Sequence, residues 1–118
     1  MMNSTPISPI RHPFLKVISI VLCLLYTLSS HADPLWVDVR SAKEHKVDNI
    51  SGHIRISHYD IVERITKRYP NKTTPINLYC HSGGRAETAK IALQQAGYTH
   101  VNNIGSVSKA RQLQATTN

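Results

Sequence analysis

The hydrophobic pattern of residues 35–113 alternates between short continuous apolar runs and segments with helical periodicity. Runs rich in β-branched and aromatic residues predict strands at 35–40, within 52–56, at 76–79 and at 98–102. Helical spacing and capping residues predict helices that begin at Ser41, after Ser57, in the turn after Cys80 and at Ser106. This alternation predicts an α/β domain with a parallel sheet that is covered by helices on both faces.

The second predicted helix has one apolar face. Tyr59, Val62 and Ile65 recur at helical spacing after Ser57, which is a suitable N-cap, and Pro70 ends the pattern. We therefore expect these three apolar side chains to lie in the core. The basic residues of the same segment fall mostly off this face and are expected to be solvated: Arg64, Lys67 and Arg68.

Small residues and caps define the other helices. The third predicted helix has a narrow apolar stripe that allows close packing on a sheet, formed by Ala86, Ala89, Leu93 and Ala96. Gly97 is a suitable C-terminal cap for it, and Ser41 with Glu44 matches a capping box at the first helix. Gly105 is expected in a turn before the last helix, which is predicted over 107–113. The polar tail 114–118 is expected to fray.

The first third of the chain has the pattern of a secretory signal peptide. Arg11, His12 and Lys16 precede an apolar run at 17–28, and the small residues Ser30 and Ala32 follow it. We therefore expect a cleaved signal peptide over 1–32, a folded domain over 33–118 and a periplasmic location. An uncleaved membrane anchor is the alternative, but the run is shorter than the roughly 20 residues that a membrane helix needs. After cleavage, no stable association with the membrane is expected.

Charge and composition limit the partners. The 118 residues include 14 Lys and Arg against 7 Asp and Glu, for a net charge of +7. Removing Arg11 and Lys16 with the signal leaves a net charge of about +5, which would attract small anions or simply form a soluble basic surface. Aromatic residues are few and no tract is rich in Arg or Lys, so binding to nucleic acid is not expected.

Cys80 is the strongest chemical signal in the sequence. It directly follows the apolar run 76–79, at a strand-to-helix turn whose backbone N–H groups converge and whose helix adds partial positive charge. A thiol at this point is expected to have a lowered pKa and to be nucleophilic. Gly83 and Gly84 allow the backbone to curl around it. Once Cys23 is removed with the signal, no second cysteine is left for a disulfide, which favours a functional thiol over a structural one.

Four segments, in this order, resemble the rhodanese family of sulfurtransferases, and above all its small exported single-domain members of the phage-shock type. They are Trp36-Val37-Asp38-Val39-Arg40 with Glu44, Gly52-His53-Ile54, Tyr79-Cys80-His81-Ser82-Gly83-Gly84-Arg85, and Ala96-Gly97-Tyr98-Thr99-His100-Val101 with 103–105. The resemblance covers essentially all of 33–118. It implies a rhodanese-like three-layer sandwich with a small central parallel sheet flanked by helices. Two segments depart from the family pattern, Arg55-Ile56-Ser57-His58 and Gly105-Ser106.

The resemblance implies thiosulfate sulfurtransferase chemistry centred on Cys80. This residue would be the catalytic nucleophile and would carry sulfane sulfur as a persulfide from thiosulfate to cyanide or a thiol. The residues implied to bind the substrate are His81, Ser82, Gly83, Gly84 and Arg85, and Arg85 would orient the loop or meet the anion. Asp38 and Arg40 would support the site. The implied partners are a small anionic sulfur donor and a thiol or cyanide acceptor; no cofactor is implied, and a monomer is expected.

Other interpretations of the loop stay open. Cysteine phosphatases and arsenate reductases of this fold have five residues between Cys and Arg, whereas four separate Cys80 from Arg85, and the tighter ring suits a persulfide better. A non-catalytic module that binds an anion or a partner would not need the thiol. A thiol–disulfide oxidoreductase would lack its resolving cysteine. No metal site is expected, because the spacing of the histidines matches no standard zinc pattern.

Overall fold

The computed structural model describes residues 16–21 and 32–117. It divides the chain into two compact units, Met1–His31 and Ala32–Asn118. In the first unit, residues 16–21 are helical, and most of the predicted signal peptide lies outside the described residues. No helix within the described ranges is long and apolar enough to cross a membrane.

The second unit is built on a four-stranded parallel sheet with the strand order β2-β1-β3-β4. The strands are β1 (Leu35–Asp38), β2 (Ile54–Arg55), β3 (Ile76–Cys80) and β4 (Val101–Ser106). All five residues of β3 are buried, as expected for a continuous apolar run in the middle of a parallel sheet. Because the strands are parallel, their carboxyl ends meet at one edge, and Asp38 and Cys80 both end their strands there.

Four helices connect and cover the strands: α1 (Ala42–Val47), α2 (Ile61–Arg68), α3 (Gly84–Gln95) and α4 (Val107–Thr117). The larger apolar cluster joins α2 and α3 to the sheet and includes Ile61, Ile65, Ala86, Ala89 and Leu93. A smaller cluster lies around α4 and contains Ile50, Tyr79, Val107 and Ala110. The predicted α/β class, a central parallel sheet flanked by helices, is confirmed.

Several local predictions are confirmed in atomic detail. The Ser41 side chain accepts from the backbone N–H of Glu44, and the Glu44 carboxylate accepts from the backbone N–H of Ser41, which is the predicted capping box. Three residues of the predicted stripe, Ala86, Ala89 and Leu93, are buried, and Ala96 is half-buried as the C-cap of α3. Gly97 follows the helix with a positive φ of 100°. The solvated face of α2 is also found, since Arg64, Lys67 and Arg68 are exposed.

The start of α2 was predicted wrongly. The helix begins at Ile61 with Asp60 as its N-cap, and Ser57 instead accepts from the N–H of Tyr59 in a preceding turn. Tyr59 therefore does not enter the core and is 86% exposed, while Ile61 takes the buried position together with Ile65. The error arises because Tyr59 is connected to Ile65 through Val62 by two three-residue steps, whereas Ile61 lies a single four-residue step before Ile65.

The end of the chain also differs from the prediction. The last strand spans Val101–Ser106 rather than 98–102, and Gly105 lies inside it, at an irregularity of the β3–β4 register, with a φ of 100°. A bulge of this kind uses a glycine much as a turn does, so the sequence signal is the same. Helix α4 continues to Thr117, so the tail up to that residue is helical.

Candidate active site

The Cys80 loop joins the end of β3 to the start of α3, as the sequence predicts. Cys80 is buried, at 1% exposure, whereas His81 and Ser82 are exposed and Gly83 and Arg85 are half-buried. The thiol thus lies at the bottom of a short loop whose outer residues face solvent. The predicted nucleophile Cys80 and the predicted substrate-binding residues, His81 through Arg85, therefore lie next to one another in this loop.

Backbone N–H groups surround the sulfur. The N–H of Gly83 donates to the Cys80 Sγ over 2.9 Å. Burial by itself raises the pKa of the Cys80 thiol, but hydrogen bonds from the backbone N–H groups of Ala86, Gly83, Ser82 and Arg85 outweigh it and bring the pKa below its ordinary value. The same donors could stabilise an anion that contacts the sulfur, in the manner of an oxyanion hole.

The two glycines of the loop have different roles. Gly83 has a φ of 103°, and a Cβ added to it would lie 3.3 Å from the Cα of Gly105, so both backbone angle and space require glycine there. Gly84 begins α3, and a Cβ there would meet nothing within 4 Å. The approach of Gly83 to Gly105 connects the loop with the bulge of β4. At Gly105 itself an added Cβ would meet nothing within 4 Å, so the φ of 100° is what favours glycine in this segment.

Arg85 is held by a carboxylate from another element. Its guanidinium donates to both carboxylate oxygens of Glu44 over 2.7 and 2.8 Å. This fork-shaped pair holds the pKa of the Glu44 carboxyl well below its usual range and raises that of Arg85. The loop arginine therefore has its orientation fixed by α1. Sequence analysis placed Glu44 in the resemblance and in the capping box, but missed its contact with Arg85.

Asp38 forms a buried ionic cluster at the end of β1. Its carboxylate accepts from Arg40 Nε at 2.9 Å and from Arg40 Nη2 at 2.8 Å, and His45 Nδ1 lies 2.9 Å from the same group. Burial raises the pKa of Asp38, but the hydrogen bonds to Arg40 and His45 prevail and lower it. Arg40 in turn donates to the carbonyl of Asp48. Asp38 and Arg40 thus stabilise the β1–α1 segment that supplies Glu44. In the described part of the chain, neither side chain forms a hydrogen bond to the Cys80 loop.

Asn103 is a loop contact that sequence reasoning missed. Its side-chain amide donates to the carbonyl of Gly83 at 3.0 Å and to Glu87 at 2.8 Å, and its carbonyl oxygen accepts from the N–H of Gly105 at 2.9 Å. One side chain therefore connects the loop, α3 and the bulge. The sequence places Asn103 in the fourth segment of the resemblance and two residues before Gly105, which indicates a turn but no contact with Gly83.

A buried aromatic group lies on the α4 side of the sheet. His53 Nδ1 and the Tyr79 hydroxyl are 2.8 Å apart, and the imidazole stacks on Trp36 with a centroid distance of 5.2 Å. Burial raises the pKa of Tyr79 and lowers that of His53, so both are neutral at pH 7. These contacts are structural: Tyr79 is fully buried, and Trp36 is half-buried against the same apolar cluster. Within residues 16–21 and 32–117, no cluster of His, Cys, Asp and Glu could hold a metal ion.

The fold and the loop together define an α/β domain that presents a buried thiol within a ring of backbone donors. Residues 24–110 match the family model described as a rhodanese-like domain. Thiosulfate sulfurtransferase PspE of Escherichia coli strain K12 is 33% identical over 88 residues, which cover 75% of this chain and 85% of that protein.

Solved structures agree with this match. The structure of a rhodanese with anions from E. coli aligns with a TM-score of 0.62 at 32% identity, over 65% of this chain and 91% of its own. The human single-domain sulfurtransferase TSTD1 aligns with a TM-score of 0.56 at 19% identity, over 80% of this chain and 92% of its own, which shows likeness of fold. The chain belongs to the rhodanese-like domain family, as the sequence resemblance implied.

Proposed function

We propose that the chain is a thiosulfate sulfurtransferase in which Cys80 carries sulfane sulfur as a persulfide to cyanide or a thiol. The observation that carries the proposal is the buried Cys80 Sγ, which accepts from the Gly83 N–H at 2.9 Å and has a lowered pKa. Only a thiolate reacts as a nucleophile, so the loop maintains the reactive form of the side chain. The match to a curated thiosulfate sulfurtransferase supports the same donor.

The proposed reaction has two displacements. The Cys80 thiolate attacks the outer sulfur of thiosulfate, a new S–S bond forms, and the old S–S bond breaks with its electron pair leaving on sulfite. The resulting persulfide then gives its outer sulfur to cyanide or to a thiolate, and Cys80 regains its electron pair. Each step moves negative charge across the loop, where the backbone N–H groups of Ser82, Gly83 and Arg85 are already oriented.

Arg85 has a positioning role in this proposal. Its guanidinium is committed to Glu44 on one side, so it contributes a fixed positive charge beside the loop. That charge favours binding of the thiosulfate dianion, and the ion pair holds the start of α3 against α1. His81 and Ser82 are exposed at the outside of the loop and would contact the donor or the acceptor as it enters.

The test is intact mass spectrometry after incubation with thiosulfate. The wild-type chain should gain the mass of one sulfur atom, and cyanide or a thiol should remove it. A Cys80→Ala variant should gain none; because it retains Cys23, it also reports any loading elsewhere. Absence of the adduct, with Cys80 still open to alkylation, would contradict thiosulfate transfer. An aryl-phosphate assay would then separate a cysteine phosphatase from a non-catalytic binding module.

We further propose that residues 1–32 are a signal peptide and that the domain 33–118 acts in the periplasm. The support is the charged segment, the apolar run and the small residues before position 33. Expression in a Gram-negative host followed by N-terminal sequencing of the periplasmic fraction tests this. A chain that begins at Asp33 agrees with the proposal, and an intact N-terminus in the membrane fraction contradicts it.

A further inference from the structure

A basic groove lies at the edge of the sheet, formed by β2 and α2. It has a volume of about 600 Å³ and shares no residue with the Cys80 loop. Its apolar lining comes from Ile54, which is half-buried on the edge strand, and from the small exposed part of Ile56, which otherwise belongs to the core. Its charged lining comes from Glu63 and from four basic residues: Arg55, Arg64, Lys67 and Arg68. Four basic side chains against one acidic side chain therefore give the groove an excess of positive charge.

These basic side chains are not neutralised by the domain itself. Elsewhere on the domain, arginines pair with carboxylates, as Arg85 does with Glu44 and Arg111 with Asp48. No residue within 16–21 and 32–117 places a carboxylate within 4.0 Å of any of the four groove cations. Arg64 and Lys67 are exposed on α2, and Arg55 makes one hydrogen bond, at 3.4 Å, to the carbonyl of Arg40.

The position of β2 adds backbone groups to this surface. β2 is the end strand of the order β2-β1-β3-β4, so only one of its edges is paired within the sheet. Ile56 donates its N–H to the carbonyl of Asp38 on that paired side. Because successive residues of a strand direct their backbone groups to opposite sides, the groups of Arg55 are directed to the open edge.

We propose that this groove binds an acidic segment of a partner protein in an extended conformation, with acidic side chains on the basic rim and apolar ones against Ile54. An extended chain alternates its side chains between two faces and can add to the edge of a sheet, so it matches both linings at once. A second copy of this chain would be repelled, since its net charge is also positive, +7. The groove lining contains no aromatic residue for stacking nucleobases. A flat lipid surface would leave Ile54 uncovered inside a concave groove.

The probe for this proposal is a fluorescent ten-residue peptide of alternating Glu and Val, measured by anisotropy against the full chain. A peptide with Lys in place of Glu is the charge control. We expect binding of the acidic peptide only, weakened by added salt. An Arg64→Glu/Lys67→Glu variant should bind at least tenfold more weakly. A Lys90→Glu/Lys109→Glu variant, which changes the net charge equally on α3 and α4, should bind within twofold of the wild type.

Two results of the peptide assay would overturn the proposal: no binding of the acidic peptide, or equal weakening in both double variants. Binding to phosphatidylglycerol vesicles is measured as well. The proposal is also overturned if the groove variant loses its binding to these vesicles but keeps its binding to the peptide. Because all variants carry the same N-terminal segment, a difference in peptide affinity between them is due to the substitutions. If the double variant is unfolded by circular dichroism, single Arg64→Gln and Lys67→Gln variants replace it, each with an expected loss of at least threefold. Sulfur loading of Cys80 should be equal in all variants, which separates this test from that of the proposed function.

Discussion

The guanidinium of Arg85 forms a two-point ion pair with Glu44, a residue 41 positions earlier in the chain, with distances of 2.7 and 2.8 Å. Glu44 at the same time completes the capping box of α1 through Ser41. One carboxylate therefore fixes both the start of α1 and the arginine that closes the Cys80 loop. The pair is partly exposed, with side-chain exposures of 33% and 36%, so its effect is on orientation more than on stability.

A Glu44→Gln variant should therefore lose function with little loss of stability. We expect the rate of sulfur loading from thiosulfate to fall about tenfold, because Arg85 is no longer held in one orientation. The free energy of unfolding should fall by about 1 kcal/mol or less. Loading followed by mass spectrometry and urea unfolding measure the two effects. Glu63→Gln, which removes a carboxylate from the exposed face of α2, is the control. Equal loading rates in the two variants would refute the role of Glu44 in positioning Arg85.

The two loop glycines should respond differently to the same substitution. Gly83→Ala places a side chain at a φ of 103° and against Gly105, so it should cost about 1–2 kcal/mol of stability. It should also shift the alkylation profile of Cys80 to higher pH, because the Gly83 N–H that donates to the sulfur moves. Gly84→Ala fills open space at the start of α3 and should be neutral or stabilising by up to about 1 kcal/mol.

Denaturation and the pH dependence of iodoacetamide alkylation measure these effects. Identical profiles for the two variants would show that the Gly83 donor does not control the thiol. A Gly84→Ala variant less stable than Gly83→Ala would contradict the assignment of strain to Gly83.

Asp38 should be needed mainly for stability. Its replacement by Asn leaves the charge of Arg40 buried without a counter-ion, since Arg40 is 4% exposed and Asp38 is fully buried. Breaking a buried pair from one side costs about 3–5 kcal/mol. The matched control is Asp48→Asn, which breaks the exposed pair with Arg111 and should cost less than about 1 kcal/mol. Urea unfolding of both variants tests the difference, and similar losses would mean that the Asp38 cluster is not stabilising.

Local signals in the sequence were sufficient for the fold and for the centre of the site. The alternation of strands and helices, the capping box at Ser41 and the cysteine after a buried strand each depend on neighbouring residues only, and each is confirmed in the structure. The start of α2 was missed because the three-residue steps from Tyr59 through Val62 to Ile65 extend the helical pattern past the true first residue, Ile61. Gly105 was assigned to a turn because a bulge and a turn both use glycine at positive φ.

Contacts between distant segments could not be predicted from the sequence, for a different reason. The Arg85–Glu44 pair, the bridge of Asn103 between Gly83 and Glu87, and the approach of Gly83 to Gly105 all depend on how strands are ordered in the sheet. Periodicity determines which face of an element is buried, but not which polar side chains meet across elements. The individual roles of Gly83 and Gly84 therefore emerged only from the structure.

Stability should also depend on pH through His53. Burial lowers its pKa in the folded protein, whereas the unfolded chain has the ordinary value of 6.5. As the pH falls below about 6.5, the unfolded chain binds a proton that the folded protein does not, so the free energy of unfolding decreases. For one group the slope is at most about 1.4 kcal/mol per pH unit. The contribution is complete above pH 6.5 and is lost as the pH falls through the lowered pKa of the folded protein.

A His53→Gln variant tests this slope. Glutamine does not titrate but can still form a hydrogen bond to the Tyr79 hydroxyl, so the variant should lose the His53 part of the slope between pH 7 and pH 5 even if its absolute stability is lower. His100→Gln, which replaces an exposed histidine, is the control for the substitution itself. Urea unfolding at several pH values gives the three slopes. Equal slopes for wild type and His53→Gln would show that burial in the fold does not hold the imidazole neutral.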